Sequence, residues 1–211
     1  MATETELKLQ LNAADVDAFR NHSLLKAVTA SEPSVLLNTY YDSADLLLAG
    51  ARVALRLRRQ GERIIQTLKT SGHSVNGLHQ RGEWEWELVQ PVLDMQKLSG
   101  EIWPKSLPPA EQLQLLPVFT TDFERETWQV CFQGAEIEVA LDQGHIRCDC
   151  PEGGALQDEI LEVELELKSG ETASLLALAD ELGRSLTLRP FDPSKAQRGY
   201  ELFRKCQEQM Q

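Results

Sequence analysis

The chain has 211 residues, of which 42% are hydrophobic and 26% are charged, and its formal net charge is −12. This length is sufficient for one sizeable domain, and the absence of an apolar run of about 18 residues excludes a membrane-spanning helix. The acidic balance argues against nucleic acid as a partner, because nucleic-acid-binding proteins usually carry an excess of basic residues.

The predicted elements are mostly strands joined by short connections. In chain order, the sequence predicts strands at 3–11, 34–42, 53–59, 63–70, 81–89, 119–132, 135–141 and 160–168, and helices at 12–19, 93–98, 110–115, 172–182 and 194–207. A turn is predicted at 142–144, before an extended segment at 145–150, and loops are predicted at 71–77 and 103–109. The short connections favour an antiparallel α+β architecture over a doubly wound parallel sheet.

The strands alternate between charged and apolar residues. Because strand side chains point to opposite faces with a period of two, Glu4, Glu6 and Lys8 share one face of the first strand. Leu7 and Leu9 share the other face. The same argument groups Arg56 with Arg58, Thr67 with Lys69, Arg81 with Glu83, Glu85 and Glu87, Glu136 with Glu138 and Asp142, and Glu162 with Glu164, Glu166 and Lys168.

These rows of charge have two explanations that the pattern leaves open. A sheet with one face in water explains the alternation on any single strand. However, rows of like charge are unfavourable unless opposite charge lies across from them. Divalent cations would compensate the carboxylate rows, and phosphates would compensate the cationic rows. Such a pattern also fits a closed barrel with a charged interior, the inverse of an ordinary small barrel.

Seven short motifs occur in order along nearly the whole chain. They are ETELK from Glu4, LRLR from Leu55, TLK from Thr67, RGE from Arg81, LDQG from Leu141, ELELK from Glu164 and SKAQRGY from Ser194. Together they resemble the CYTH superfamily, the triphosphate tunnel metalloenzymes, and within it the bacterial inorganic triphosphatases. The resemblance implies one CYTH domain over residues 1–211. Its fold would be α+β, with an eight-stranded antiparallel β-barrel forming a tunnel with a charged interior and helices packed outside.

The resemblance also implies an activity. It predicts metal-dependent hydrolysis of inorganic triphosphate (tripolyphosphate) to pyrophosphate and phosphate, with Mg²⁺ or Mn²⁺ as cofactor. Two alternatives stay open. One is a hydrolase or cyclase acting on an organic triphosphate, such as thiamine triphosphate, a nucleoside triphosphate, or ATP converted to cyclic AMP. The other is a noncatalytic polyphosphate-binding module.

The resemblance assigns roles to individual residues. The implied metal ligands are Glu4, Glu6, Glu83, Asp142, Glu162, Glu164 and Glu166. The implied substrate-binding cations are Lys8, Arg56, Arg58, Lys69, Arg81, Arg125, Lys195 and Arg198. The implied catalytic residues are Glu4, Glu6, Lys8, Lys69, Glu164 and Glu166. Arg52, Glu85 and Glu87 receive no role.

The remaining expectations concern the cysteines, the histidines and the setting of the protein. The cysteines at 131, 148, 150 and 206 match neither a disulfide framework nor a paired zinc spacing, so we expect them to be reduced. Residues 1–10 lack a signal-peptide pattern, which together with the cysteines predicts a cytoplasmic protein. The histidines at 22, 73, 79 and 145 are expected at the surface or in loops.

Many members of the bacterial branch carry a helical CHAD domain after the CYTH domain, and no such domain follows in these 211 residues. We therefore expect either a single-domain version or part of a longer protein. The sequence leaves monomer and homodimer open.

Overall fold

Nine antiparallel strands form one sheet that closes on itself. In the computed structural model, which describes residues 3–208, the strands are β1 Thr3–Leu11, β2 Ser34–Asp42, β3 Ala54–Gln60, β4 Arg63–Val75, β5 Leu78–Leu88, β6 Leu116–Phe132, β7 Ala135–Asp149, β8 Ala155–Ser169 and β9 Leu188–Pro190. The order in the sheet is β5-β4-β3-β2-β6-β7-β8-β1, and β1 also pairs with β5. The ring of eight antiparallel strands confirms the predicted tunnel architecture.

The helices are short at the N-terminal end of the chain and longer at the C-terminal end. They are α1 Val16–Arg20, α2 Ser23–Lys26, α3 Leu47–Gly50, α4 Thr172–Gly183 and α5 Lys195–Glu208. Additional 3-10 turns lie at Ala13–Asp15, Met95–Lys97, Gly100–Ile102 and Ala110–Gln112. Within residues 3–208, no helix combines the length and the apolar character needed to cross a membrane.

One large apolar cluster lies outside the ring. Leu7 and Leu9 of β1 join Leu165 of β8 and the α4 residues Leu175 and Leu178 in one buried cluster. The apolar rows of the alternating strands therefore face the covering helices, which leaves the charged rows to face the interior. Burying these leucines fixes the register of β1, because a slip of one residue would exchange its two faces.

The partner of β1 changes at Lys8. Residues Thr3–Leu7 pair with β5, whereas Leu9–Leu11 pair with β9. Between the two ladders, the Lys8 backbone N–H donates to the Gly77 carbonyl at 2.8 Å, and the Phe191 N–H donates to the Lys8 carbonyl at 3.0 Å. A side chain at Gly77 would overlap the Lys8 carbonyl. This junction therefore holds the β4–β5 turn against the chain that leads into α5.

The two glycine-containing segments predicted to be irregular are strands instead. The predicted loop at 71–77 is wrong, because β4 extends to Val75 and β5 starts at Leu78. The chain reverses at Asn76 and Gly77, with φ of 51° and 80°, which is the pattern of a two-residue type I′ hairpin turn. The predicted turn at 142–144 is also wrong, since β7 is continuous from Ala135 to Asp149.

Several predicted helices are shorter than expected. The segment 12–19 begins at Asn12, whose side chain accepts from the Ala14 N–H at 3.0 Å, but it starts as a 3-10 turn before α1. The helices predicted at 93–98 and 110–115 are only 3-10 turns, and their neighbourhood contains Pro104, Pro108 and Pro109, which disfavour helix continuation. Weak local periodicity does not distinguish one turn from a full helix.

The expectation that all four cysteines are reduced is wrong for one pair. Cys150, which follows β7, forms a disulfide with Cys206 of α5, with the two Cα atoms 5.1 Å apart. Cys131 is exposed and Cys148 is buried, and both are free. Sequence spacing gives no sign of this pair, because the two residues meet only when α5 packs across the end of β7.

Gly144 marks a close approach of two strands. It lies opposite Phe123 in the β6–β7 ladder, where an added Cβ would overlap the Asp122 carbonyl oxygen and lie 2.5 Å from Phe123 Cα. We expect Gly144→Ala to lower the free energy of unfolding by about 3 kcal/mol, the upper end of the usual cost of overpacking. Urea denaturation would measure it, with Gly183→Ala as control because nothing lies within 4 Å of a Cβ there. Equal stability of the two variants would contradict the expectation.

Candidate active site

A cavity of about 1110 Å³ runs inside the ring and is lined mainly by charged side chains. The predicted site residues that line it are Glu4, Glu6, Lys8, Arg56, Arg58, Lys69, Arg81, Glu83, Arg125, Glu164, Glu166 and Lys195. In the described part of the chain, Asp142, Glu162 and Arg198 lie behind this lining, at the α5 side of the barrel. The charged rows predicted from the alternation therefore do converge on one interior space.

The first and the last long strands bring their carboxylates together. In the β1–β8 ladder Glu6 lies opposite Glu166, and Lys8 lies opposite Glu164. Glu138 of β7 lies opposite Glu166 on the next ladder. Directly opposite residues project from the same face of a sheet, so residues from both ends of the chain line the same wall.

The β1, β4 and β5 side of the cavity holds interleaved acids and bases. Lys69 Nζ lies 2.9 Å from Glu4 Oε1 and 2.9 Å from Glu83 Oε2. Arg81 donates from Nε to Glu4 Oε2 at 3.0 Å and from Nη2 to Glu6 Oε1 at 2.8 Å. Burial alone would raise the pKa of Glu4, but Lys69 and the hydrogen bond with Glu83 hold it below its ordinary value. Burial raises the pKa of Glu83, and the same hydrogen bond adds to the increase.

Glu6 is a buried acid whose negative charge is disfavoured by its surroundings. Burial raises its pKa to about 7, and the neighbouring carboxylates Glu164 and Glu4 add to the increase. Three carboxylates facing one space, with one of them disfavoured as an anion, are the donor set that a hard divalent cation stabilises. By the chemistry of their donor atoms, these acids therefore fit a hard divalent cation.

The α5 side holds a second charged cluster, centred on Lys195. Its Nζ lies 2.6 Å from Asp142 Oδ2 and 2.9 Å from Glu164 Oε1, and it also contacts Glu162 Oε1. Arg125 donates from Nε to Asp142 Oδ1 and from Nη2 to Oδ2, both at 2.6 Å, and its Nη2 contacts Glu164. Asp142 is 0% and Glu162 is 1% exposed, so these acids are paired inside the protein.

This cluster has the geometry of a cation site, and the cation it surrounds is an ammonium group. One oxygen from each of Asp142, Glu162 and Glu164 falls within 4.8 Å of the others, close enough for one ion. Burial would lower the pKa of Lys195, but Asp142 and Glu162 raise it above its ordinary value. Burial would raise the pKa of Glu164, but Lys195 and Arg125 hold it well below its ordinary value. In the structure, Asp142 and Glu162 therefore form ion pairs with Lys195.

Arg198, one helical turn after Lys195, also contacts acids behind the cavity wall. Its Nε donates to Asp158 Oδ2 at 2.8 Å, and its Nη1 lies 3.5 Å from Glu162 Oε2. Its guanidinium also lies 5.4 Å from the centre of the Phe191 ring. Lys195 and Arg198 were both predicted to bind the substrate, but they differ in position. Lys195 lines the cavity, whereas Arg198 holds α5 against the barrel.

Lys8 reaches toward the same end of the cavity. Its Nζ donates to the Pro193 carbonyl just before α5 and lies 5.4 Å from the centre of the Phe191 ring. Burial lowers its pKa to about 8, and the nearby Lys195 contributes to the decrease. A weakly compensated lysine in a buried position is suited to an anionic ligand.

Strand β3 presents two arginines, Arg56 and Arg58, to the cavity. Arg58 donates from Nε to Asn38 Oδ1 at 2.9 Å, and burial together with Arg56 and Arg125 lowers its pKa to about 10. Arg56 Nη2 lies 3.9 Å from Glu83 and 3.7 Å from Glu85, at the limit of an ion pair. A buried guanidinium whose charge is disfavoured by burial and by neighbouring arginines, as in Arg58, indicates a site for an anion.

Other cavity residues received no role from the sequence. Tyr40, Glu85, Glu138 and Lys168 line the cavity. So does His79, and its predicted surface position is wrong, because it lies opposite Glu6 and is 5% exposed. Burial, with Lys8 and Arg81 nearby, lowers the pKa of His79 to about 4. The signal for Tyr40 was available: it shares a strand face with Asn38 and Asp42, and polar residues on that face point inward.

A family model and a curated relative identify the family of this chain. The profile of the CYTH domain matches residues 2–200. An inorganic triphosphatase of Haemophilus influenzae is 35% identical over 205 residues, covering 97% of this chain and 56% of the relative. The chain thus spans about half the length of the curated relative it matches.

Two solved structures share the fold at low sequence identity. A putative adenylyl cyclase from Hippeastrum, described as having a dominant triphosphatase activity, has a TM-score of 0.60 at 16% identity, covering 96% of this chain and 95% of that one. A putative adenylate cyclase from Bacillus halodurans has a TM-score of 0.54 at 22% identity, covering 94% of this chain and 98% of that one.

Proposed function

The chain belongs to the CYTH family, and we propose that it hydrolyses inorganic triphosphate to pyrophosphate and phosphate with the help of Mg²⁺ or Mn²⁺. The observation that carries this proposal is the cavity itself, where crowded carboxylates lie in the same enclosed space as the arginines of β3. A polyanion that arrives with a metal ion neutralises both sets at once. The name of the Haemophilus relative supports inorganic triphosphate as the substrate.

The residues that would hold the metal are Glu4, Glu6, Glu164 and Glu166, whose strands β1 and β8 are adjacent. Carboxylate oxygens are the ligands that Mg²⁺ prefers, and Mg²⁺ usually completes its coordination with water and phosphate. Bound there, the ion would act as a Lewis acid on a phosphoryl oxygen. Asp142 and Glu162 are better suited to holding Lys195, and Glu83 to holding Lys69.

The cations of this chain would bind the phosphates and stabilise the charge that develops on the leaving pyrophosphate. Phosphoryl transfer depends mainly on positioning and on electrostatic stabilisation of the equatorial and leaving oxygens. Arg56 and Arg58 present guanidinium donors on β3, and Arg125 presents another on β6. Lys8, in a buried site beside the carboxylates, would donate to an oxygen near the metal.

We expect phosphate release from tripolyphosphate to require a divalent cation. Release should be measured with Mg²⁺, with EDTA, and with Mg²⁺ added back in excess of EDTA. The expected rate falls with EDTA and returns with the added Mg²⁺, because the carboxylate wall no longer repels the substrate once it holds the ion.

ATP and thiamine triphosphate, assayed in parallel, serve as competing substrates. Equal rates with and without EDTA would show that hydrolysis does not require a metal ion. Faster hydrolysis of an organic triphosphate would assign the enzyme to the other substrate class. Binding of tripolyphosphate without turnover of any of the three compounds would indicate a binding module.

A further inference from the structure

Lys168 bridges two opposing carboxylates near the C-terminal end of β8. Glu138 and Glu166 lie directly opposite each other in the β7–β8 ladder, and both line the cavity. Like charges in directly opposite positions on neighbouring strands repel each other. The Lys168 ammonium group relieves this repulsion, because its Nζ lies 2.7 Å from Glu166 Oε2 and 3.5 Å from Glu138 Oε1. Lys168 shares the strand face of Glu166 and also lines the cavity.

Lys168 differs in exposure from the cations that contact the other proposed metal ligands. The cations that contact Glu4, Glu6 and Glu164 have side chains that are 7–19% exposed, and they are Lys69, Arg81, Arg125 and Lys195. The Lys168 side chain is 38% exposed. A lysine at the surface keeps its ammonium group hydrated on a flexible four-carbon stem, so turning it into solvent costs little. Lys168 is therefore the most easily displaced of these five cations.

Glu166 depends on Lys168 for its compensation. Within residues 3–208, no other cation lies within ion-pair distance of Glu166. Its opposite neighbours are both acids, Glu6 on β1 and Glu138 on β7. A divalent cation bound to Glu166 would lie only a few ångströms from the ammonium group, and like charges at that separation repel each other. The ammonium group and a metal ion are therefore alternative partners for this carboxylate.

We propose that Lys168 is a positioning residue that competes with the divalent cation for Glu166 and thereby sets the metal affinity of the site. The inference rests on the proposed function, which makes Glu166 a metal ligand. Once Glu166 is a metal ligand, the Lys168 ammonium group is released at the cavity and donates to a phosphoryl oxygen of the substrate. Metal binding and triphosphate binding therefore strengthen each other through this one side chain.

The test compares Lys168→Met, which removes the ammonium group and keeps an unbranched side chain, with Arg52→Met. Arg52 is a matched control because it is an exposed cation that lines the same cavity and belongs to no ion pair among residues 3–208. Electron paramagnetic resonance of free Mn²⁺ measures metal affinity without substrate or turnover. We expect about three- to fivefold tighter Mn²⁺ binding for Lys168→Met, the effect of losing one competing exposed ion pair. The change for Arg52→Met should stay below about twofold, because its charge is screened by solvent.

A charge-conserving variant separates competition for Glu166 from side-chain packing. Arginine at position 168 keeps the positive charge and pairs well with carboxylates. We therefore expect Lys168→Arg to bind Mn²⁺ no more tightly than the wild type. Tighter binding in both Lys168→Arg and Lys168→Met would show that packing at this position, and not the ion pair, controls the metal affinity.

Steady-state assays at saturating Mg²⁺ test the released ammonium group. The inference predicts a higher KM for tripolyphosphate in Lys168→Met at the melting temperature of the wild type, and an unchanged KM would overturn the contact with the phosphoryl oxygen. Equal Mn²⁺ affinity in Lys168→Met and wild type, or equal tightening in Lys168→Met and Arg52→Met, would overturn the competition while leaving triphosphate hydrolysis intact.

The proposed function fails in a different way. A wild-type protein that binds Mn²⁺ without hydrolysing tripolyphosphate would overturn the proposed function, and the Mn²⁺ affinities would still decide whether Lys168 competes for Glu166. A wild-type protein that binds no Mn²⁺ would overturn both the metal dependence and the role of Lys168.

Discussion

Replacing Lys195 with methionine is expected to lower the free energy of unfolding by about 3–5 kcal/mol, the usual cost of removing one partner from a buried ion pair. The Lys195 ammonium lies among three carboxylates, of which Asp142 and Glu162 are fully buried. Methionine has a similar length and fills the same space, so the loss reports the missing charge. Arg125 would remain as a partner for Asp142 and Glu164, but it does not contact Glu162.

Urea denaturation of Lys195→Met and Lys205→Met would measure this effect. Lys205 lies on the same helix and is exposed, so its replacement controls for the change of residue type. We expect the Lys205 variant to stay within about 0.5 kcal/mol of the wild type, as is usual for surface substitutions. A Lys195 variant as stable as the Lys205 variant would show that the three acids do not need the ammonium group.

Replacing Glu6 with glutamine is expected to lower the rate of tripolyphosphate hydrolysis by about 100- to 1000-fold at saturating Mg²⁺. Glu6 is a buried acid close to the carboxylates of Glu4 and Glu164, and a metal ligand lost at this wall removes a few kcal/mol of charge stabilisation. Glutamine keeps an oxygen that can accept from Arg81 Nη2, and it removes a negative charge facing Glu4 and Glu164. The variant should therefore remain folded.

Glu87→Gln is the matched control for the Glu6 variant. Glu87 belongs to the charged row of β5 but is exposed and pairs with Arg63 at 3.1 Å. We expect this control to retain wild-type activity, measured as phosphate release at the same Mg²⁺ concentration. Full activity in Glu6→Gln would show that Glu6 is not a metal ligand. A lower melting temperature of this variant would indicate a structural role instead.

For β1 and β8, the sequence predicted which side chains share a face, and the family resemblance implied that the charged face lines the interior. Strict alternation in β1 and β8 places Glu6 and Glu164 on one side and Leu7 and Leu165 on the other, and burial of the leucines leaves no other arrangement. The ring closure also followed from the family resemblance.

The contacts within the cavity could not be predicted in the same way. Whether Asp142 faces a metal ion or Lys195 depends on how α5 docks, and the docking depends on Gly199 fitting over Phe119. The turn wrongly predicted at Gly144 has the same origin, since a glycine that reverses the chain and a glycine that lets two strands approach look identical in sequence. Such features are set by tertiary packing, and local pattern does not encode them.

The change of partner along β1 has a consequence for the order of folding. β1 is the first strand to be synthesised, yet its partners β5, β8 and β9 come later in the chain, β9 after residue 187. Pairings between distant segments incur their loop-closure entropy before any contact offsets it, so they tend to form late. We therefore expect all three ladders of β1 to form in the last stage of folding. Because Glu4, Glu6 and Lys8 lie on β1, the binding site forms in the same step in which β1 pairs with β5 and β8 and closes the ring.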